Sequence, residues 1–140
     1  MDEVLLSGTF EHTLDPKGRV TLPARYREHF QGGAVLVRFP DGERCISVFH
    51  PGTWARFDAK HIEPLDVFEK RADAWRARAI YMNQDVVEPD GQGRVLLSAR
   101  QIKEVGLSGK VTIIGARTHL EIWDPDTLAA LEQEKGGGNA

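Results

Sequence analysis

Two copies of one short motif lie in this chain: residues 14–25 read LDPKGRVTLPAR, and residues 89–100 read PDGQGRVLLSAR. Aligned at an offset of 75 residues, positions 15–25 and 90–100 are identical at 7 of 11 sites. Each copy holds an Asp-x-x-Gly-Arg turn, and a second Arg follows six residues after the first. A repeat of this kind indicates that the chain contains the same structural unit twice.

The similarity continues beyond the motif. Two β-branched runs correspond, AVLV at 34–37 and KVTI at 110–113, and so do residues 48–55 and 122–129. Pro, Asp and Gly mark tight turns, and alternating apolar runs mark strands. We therefore predict that each unit consists of a strand, a turn, a strand, a short helix and a hairpin. The short helices are predicted at 23–30 and 98–105, and the hairpin turns at 40–42 and 115–118.

The segment between the units reads as helical. Thr53 is predicted to cap a short helix, and apolar residues recur at three- and four-residue steps from 64 to 82. This spacing predicts one amphipathic helix that packs on the core, with a partner contact as the alternative. Residues 132–140, which end in GGGNA, are predicted to be disordered. The apolar stripe and the tryptophans predicted at core positions are Leu65, Phe68, Ala72, Trp75, Ala79, Met82, Trp54 and Trp123.

The predicted organisation has four parts: unit 1 at residues 8–53, linking helices at 54–81, unit 2 at 82–126, and a short helix with a flexible tail at 127–140. The chain has 140 residues, of which 41% are hydrophobic. Half of such a chain buries only a marginal core, so the two units are expected to share one. The sequence contains no apolar run long enough to predict a membrane helix. Its acidic start, MDEVLLSGTF, does not have the basic region that would predict a signal peptide.

Charge is unevenly distributed along the sequence. The net charge is −3, but residues 15–28 carry a local +2 and residues 90–104 a local +1, whereas residues 119–140 carry −4. Positive charge therefore concentrates at the repeated turns. The five histidines are scattered without ligand spacing, so no metal site is predicted, and no cofactor loop is present. The single cysteine, Cys45, is interpreted as a small core residue.

These features carry a family resemblance. The paired turns, with KGR in the first copy, GRVLL in the second and EIWD after the second hairpin, resemble the MraZ family of bacterial transcriptional regulators. The resemblance covers roughly residues 5–128 and implies two tandem SpoVT-AbrB type units. The implied fold is α+β, mainly β: a pseudo-two-fold, swapped-hairpin AbrB-like barrel, with linking and C-terminal helices.

The resemblance also implies partners and a location. Family members bind short direct repeats in the promoter of their own cell-division and cell-wall operon, usually as repressors. The expected partners are therefore double-stranded promoter DNA and further copies of the chain in a ring. No membrane partner, small-molecule substrate or cofactor is expected, and the expected location is cytoplasmic and nucleoid-associated.

Roles for individual residues follow from side-chain chemistry. Arginine offers a rigid fork of donors for guanine or phosphate, and lysine is a flexible point charge suited to phosphate. For Arg25 and Arg100, packing between the units is an equally weighted alternative. For Arg19, the alternative is a salt bridge with Asp15 that only fixes the loop. Gln92 and Ser98 stand where the first copy has Lys17 and Pro23, which predicts weaker contacts by the second copy. The predicted DNA-binding residues are Lys17, Arg19, Arg25, Arg27, Arg94 and Arg100, and the predicted turn-shaping residues are Asp15, Gly18, Asp90 and Gly93.

Two other functional classes stay open at this point. A barrel enzyme would require Asp15 and Asp90 to line a common cleft, although no paired carboxylates or Ser/His/Asp set accompany them. An AbrB-like interaction module, such as the antidote of a toxin–antidote pair, usually has one unit and a long disordered tail. The two units and the short tail of this chain favour a DNA-binding regulator that is not an enzyme.

Overall fold

The computed structural model describes residues 4–136 and contains eight strands and four α-helices in that range. The fold is mixed α/β with mostly antiparallel pairing. In chain order the elements are β1 (Thr9–Thr13), β2 (Arg19–Thr21), a single 3-10 turn (Ala24–Tyr26), β3 (Ala34–Val37), β4 (Ile46–Phe49), α1 (Pro51–His61), α2 (Arg71–Met82), β5 (Gln84–Val87), β6 (Arg94–Leu96), α3 (Ala99–Val105), β7 (Lys110–Gly115), β8 (Leu120–Trp123) and α4 (Pro125–Lys135).

Six strands form one sheet in the order β1-β7-β8-β4-β3-β5, and β2 and β6 form a separate ribbon. The first strand of each half pairs with the hairpin of the other half: β1 with β7, and β5 with β3. The counterparts in the two halves are β1 and β5, β3 and β7, and β4 and β8. Exchanging each strand for its counterpart reverses the strand order, so the sheet has pseudo-two-fold symmetry. The described strands leave β1 and β5 as open edges, so they do not form the single closed barrel that the resemblance implies.

The β2–β6 ribbon lies on the pseudo-two-fold axis. Val20 is paired with Val95, its counterpart in the repeat, and both side chains are fully buried. Beyond this pair, the Leu22 amide donates to the Gly93 carbonyl, and the Leu97 amide donates to the Gly18 carbonyl, each at 2.9 Å. The two Asp-x-x-Gly-Arg turns consequently leave the ribbon at opposite ends in equivalent positions.

Both halves contribute to one hydrophobic core, as the size of each half requires. A smaller second cluster lies beneath α1 and α2 and includes Phe49, Trp54 and Ile80. Cys45 is buried, and burial raises the pKa of its thiol to about 12. The main core includes Leu22, Phe30, Leu36, Ile46 and Val48 from the first half and Val95, Leu97, Val111, Ile113, Leu120 and Ile122 from the second.

The two short helices differ more than their sequences predict. The predicted helix 23–30 is only the 3-10 turn Ala24–Tyr26, because Pro23 precedes it as the N-cap residue and provides no side-chain hydrogen bond. Its counterpart α3 starts with a capping box, in which Ser98 accepts from the Gln101 amide, and ends at left-handed Gly106. The Ser98 cap therefore supports a regular helix where Pro23 does not.

The linking helices also depart from prediction. Helix α1 begins at Pro51, where Nδ1 of His50, rather than Thr53, accepts from the Gly52 amide. The predicted helix 64–82 begins only at Arg71, because the carboxylate of Asp66 holds the preceding residues in a turn by accepting from the amides of residues 68 and 69.

The face that α2 buries includes Ala79 of the predicted apolar stripe but otherwise differs from that stripe. Ala74, Ala77 and Ile80 are buried, whereas Phe68 is 96% exposed and Trp75 is 61% exposed. The core position predicted for Trp75 is therefore wrong, while Trp54 and Trp123 are buried as predicted. Ala77 and Ile80 belong to the second hydrophobic cluster together with Phe49 and Trp54, and this packing decides which face of the helix is buried.

The C-terminal prediction is partly wrong. Helix α4 continues through Lys135, with its first turn capped by Asp124, so residues 132–135 are helical rather than disordered. Residues 137–140 of the predicted tail lie outside the described residues. Between residues 4 and 136, no helix is long and apolar enough to cross a membrane, and no His/Cys/Asp/Glu group is arranged to hold a metal ion.

Candidate nucleic-acid interface

The first repeated turn, residues 15–19, is organised by the carboxylate of Asp15. Its Oδ1 accepts from the Lys17 amide at 2.9 Å and from the Arg19 amide at 2.8 Å, and its Oδ2 accepts from Arg19 Nε at 2.7 Å. The Gly18 amide closes the turn on the Asp15 carbonyl, with Gly18 at φ +83°. One carboxylate thus fixes both the backbone of the turn and the direction of the Arg19 side chain.

The second turn, residues 90–94, repeats this arrangement bond for bond. Asp90 Oδ1 accepts from the amides of Gln92 and Arg94 at 2.9 and 3.0 Å, and Oδ2 accepts from Arg94 Nε at 2.7 Å. Gly93 has a φ of +77° and donates its amide to the Asp90 carbonyl. The predicted turn-shaping residues therefore occupy equivalent positions in both turns.

The electrostatics of the two turns follow from these bonds. The backbone hydrogen bond from Arg19, followed by its side-chain bond, lowers the pKa of Asp15 below its usual value. The same pattern from Arg94 lowers the pKa of Asp90 to about 2. Both carboxylates are therefore ionised at neutral pH, and each neutralises one arginine charge. Within residues 4–136, neither arginine uses Nη1 or Nη2 in a protein hydrogen bond, and none of these atoms is a buried atom without a partner.

The second arginine of each motif has a different environment in each half. The guanidinium of Arg25 lies 5.7 Å from the centre of the Phe10 ring and 6.0 Å from that of Tyr26. Its counterpart Arg100 bonds the carboxylate of Glu104 through Nε at 2.8 Å. Both side chains are engaged with residues of their own half, so these contacts are not the packing between the units that the alternative predicts.

Arg27 lies where sequence reasoning did not place it. Its side chain, from the first half, covers Gly93 in the turn of the second half. The counterpart contact, Ile102 over Gly18, is apolar. A repeat alignment shows that Arg27 and Ile102 are equivalent positions, but only the crossed pairing of β2 and β6 brings each one to the opposite turn. The sequence therefore shows that one repeat has a charged residue where the other has an apolar one, but not which turn each residue contacts.

A cleft of about 480 Å³ lies beside the second turn, lined by residues that include Arg27, Glu28, Asp90 and Gly93. Asp15 does not line it. An enzyme built on these carboxylates would place both aspartates around one cleft, whereas the ribbon separates them to its two ends. The arrangement consequently does not fit a shared catalytic site.

Sequence comparison decides the family. The family described as "MraZ protein, putative antitoxin-like" matches the chain over residues 5–75 and again over residues 80–136. The chain belongs to the MraZ family. The two matched stretches each contain one Asp-x-x-Gly-Arg turn, so the internal repeat is a property of the family match as well as of the sequence.

Curated MraZ-family relatives cover most of the chain. A protein named "Transcriptional regulator MraZ" from Thermomicrobium roseum is 37% identical over 123 residues, 88% of this chain and 84% of that protein. The protein of the same name from Paraburkholderia phytofirmans is 37% identical over 133 residues, covering 92% and 89%. That from Pelodictyon phaeoclathratiforme is 35% identical over 138 residues, covering 91% and 88%. These relatives are named as transcription regulators, which is a role without catalysis.

Proposed function

We propose that this MraZ-family chain is a sequence-specific DNA-binding repressor that contacts short promoter repeats upstream of its own cell-division and cell-wall operon through its two Asp-x-x-Gly-Arg turns. The observation that carries the proposal is that an aspartate holds the side chain of Arg19 and of Arg94 in the same way. Each Nε is bound to an aspartate at 2.7 Å, while the Nη donors have no partner among the described residues. The name of the curated relatives supports a role in transcription.

The pinned guanidinium is suited to reading DNA. A free Nη edge can donate two parallel hydrogen bonds, either to O6 and N7 of guanine or to a phosphate. Holding Nε in place removes rotamer freedom before binding, which lowers the entropic cost of each contact. Exposed Lys17 beside Arg19 adds a point charge for phosphate. In this proposal the arginines read bases and the lysine positions the backbone.

The two halves form an AbrB-like swapped-hairpin unit with open sheet edges in this proposal, with unit 1 at 8–53 and unit 2 at 82–126. Supporting this arrangement, β1 and β5 each pair with the hairpin of the opposite half, and the ribbon pairs Val20 with Val95. DNA as partner goes with a cytoplasmic, nucleoid-associated location.

The functional form is a homo-oligomeric ring in this proposal. One chain presents few basic residues, and each neutralised phosphate contributes a salt slope of only about 0.9, so several copies must act together. The exposed apolar side chains Phe68 and Trp75 mark a surface for a second copy, and Lys70, Arg71 and Arg78 surround them.

The complementary surface is a groove on α4. It is lined by Trp123 and Leu131 together with the acidic residues Asp126 and Glu134. Because the two surfaces share no residues, their contact is head-to-tail, and a head-to-tail contact forms a ring when the rotation between neighbouring copies closes. Replacing both Phe68 and Trp75 by alanine is expected to lower the native mass. Val86→Ala, which truncates an exposed residue of β5, is the matched control. An unchanged native mass of the double variant overturns this interface.

The test of DNA binding is a gel shift with the DNA upstream of the protein's own gene, beside a shuffled duplex of equal composition. The wild-type chain is expected to shift only the upstream DNA. Arg19→Ala is expected to weaken binding enough to abolish that shift at the same protein concentration, without changing the native mass. An equal shift by the wild type and Arg19→Ala, or by the upstream and shuffled duplexes, rejects the proposal.

The family description favours one other candidate, because it includes the words "antitoxin-like". An antidote module would bind a partner protein through a surface other than the two turns. Binding of upstream DNA that is insensitive to Arg19→Ala, together with a stable complex with a protein encoded beside it, would favour that reading.

A further inference from the structure

Different side chains pack against the glycines of the two pseudo-equivalent turns. A methyl group built onto Gly93 would lie 2.6 Å from Cδ of Arg27 and 2.9 Å from its Cγ, so the stem of Arg27 lies directly on that glycine. At Gly18 the nearest side-chain atom is Cδ1 of Ile102, at 3.3 Å. Arg27 and Ile102 are counterparts in the repeat, since both lie nine residues after their glycines. A charged residue therefore covers one turn and an apolar residue covers the other.

The charge of the residue that covers each turn is the opposite of the charge difference within the turns: the turn that lacks a lysine is the one covered by a charged residue. The first turn carries exposed Lys17, and the second carries uncharged Gln92 at the same position. Asp90 is matched by Arg94, and Glu28 also lines the cleft beside the second turn. Without Arg27 this end of the ribbon would hold an unbalanced carboxylate facing DNA, which like-charge repulsion disfavours. Arg27 restores the balance and supplies an exposed guanidinium.

The positive charge of Arg27 also acts on the first strand. The pKa of His12, on β1, is lowered first by partial burial and then by the charge of Arg27. Arg27 is therefore close enough to β1 to act on His12, while its stem contacts Gly93 of the second turn.

We infer that Arg27 is a DNA-phosphate contact of the second turn, supplied by the first half of the chain, and that it takes the place of the lysine missing at Gln92. The inference rests on the proposed function, because it assigns a residue to that same DNA-binding surface. It makes the second binding edge a composite of both halves, whereas the first edge carries its lysine within its own turn.

The experiment measures fluorescence anisotropy of the upstream duplex over a range of salt concentrations. Arg27→Gln is expected to weaken binding by about 3- to 10-fold, the range for one lost hydrogen-bonded contact. It should also lower the salt slope by about 0.9 for each turn that contacts DNA. Lys60→Gln, which removes one exposed positive charge from α1, is the matched control and should change affinity by less than about 2-fold. Arg27→Lys keeps the charge and should restore the slope.

A double-mutant cycle assigns the contact to one turn. If Arg27 acts with the second turn, Arg27→Gln should have little further effect in an Arg94→Ala background and its full effect in a Lys17→Gln background. Equal effects in both backgrounds overturn the assignment. If Arg19→Ala abolishes binding but Arg27→Gln does not weaken it, only this inference fails. If the wild type does not distinguish upstream from shuffled DNA, the proposed function itself fails.

Discussion

The two Asp-x-x-Gly-Arg turns have the same internal structure and different surroundings. Each aspartate accepts the same three hydrogen bonds, and the aspartate-to-Nε distance is 2.7 Å in both. Around them, Lys17 and Ile102 accompany the first turn, whereas Gln92 and Arg27 accompany the second. The two turns therefore share one backbone geometry, while the additional positive charge beside each turn comes from a different position in the chain.

The conserved part of each turn is the part that the pseudo-two-fold axis requires. The ribbon hydrogen bonds from Leu22 to Gly93 and from Leu97 to Gly18 join the two turns through the same backbone atoms. A change in one turn that altered its glycine carbonyl would disturb the strand of the other half. Side chains that point away from the ribbon carry no such constraint and can differ.

The largest effect is expected at the axis itself. Val20→Asp and Val95→Asp each bury an unpaired carboxylate in the shared core and should each lower the free energy of unfolding by at least about 3 kcal/mol. Thermal and denaturant unfolding measure this loss. Leu96→Asp, at the next position and 57% exposed, is the control and should be nearly neutral. A large difference in the free energy of unfolding between the Val20 and Val95 variants would show that the two halves are not equivalent at the axis.

Much of this fold is predictable because the repeat is strong. The alignment of residues 15–25 with 90–100 predicts two equivalent turns, and the Pro/Gly/Asp clusters predict the hairpins. The sequence also indicates a shared core, since neither half can bury enough apolar surface alone. The pairing of β1 with β7 and of β5 with β3 comes from tertiary contacts, which local patterns do not contain.

The errors have local physical causes. Phe68 and Trp75 match a helical period as well as the alanines of α2 do, but Ala77 and Ile80 are the residues that pack into the second hydrophobic cluster. Similarly, Pro23 and Ser98 both suit a helix start by residue type, yet only Ser98 accepts a capping hydrogen bond. For the candidate site, residue types indicated which side chains belong to it, while the crossing of Arg27 to the opposite turn required the structure.

A middle-sized effect is expected from removing the glycines. Gly18→Ala and Gly93→Ala each force a side chain into the left-handed region, at a cost of roughly 1–2 kcal/mol, and should lower the melting temperature to a similar extent. Their DNA affinities should differ, because only Gly93→Ala displaces the stem of Arg27. Once each variant is shown to be folded, fluorescence anisotropy separates the loss of DNA affinity from the loss of stability. Equal affinities of the two variants would argue against a role for Arg27 at the second turn.

The smallest effect is the pH response of the turns. Because both aspartate pKa values are lowered in the folded chain, the stabilisation they provide is complete above the unfolded-state pKa of about 3.9. It is lost as pH falls through the folded value, which for Asp90 is about 2. Amide chemical shifts of Arg19 and Arg94 should therefore move together in this acidic range. Asp90→Asn should remove the response at Arg94 alone, and a response centred near neutral pH would contradict the assigned bonds.

The central claim is that both pinned arginines bind DNA. Its most direct measurement is anisotropy of the upstream duplex with Arg19→Ala and Arg94→Ala, beside Lys60→Gln, with native mass recorded on the same samples. One lost bidentate contact corresponds to about 1–3 kcal/mol, so each arginine variant should bind roughly 5- to 150-fold more weakly, at unchanged mass. Wild-type affinity in both arginine variants would contradict the account.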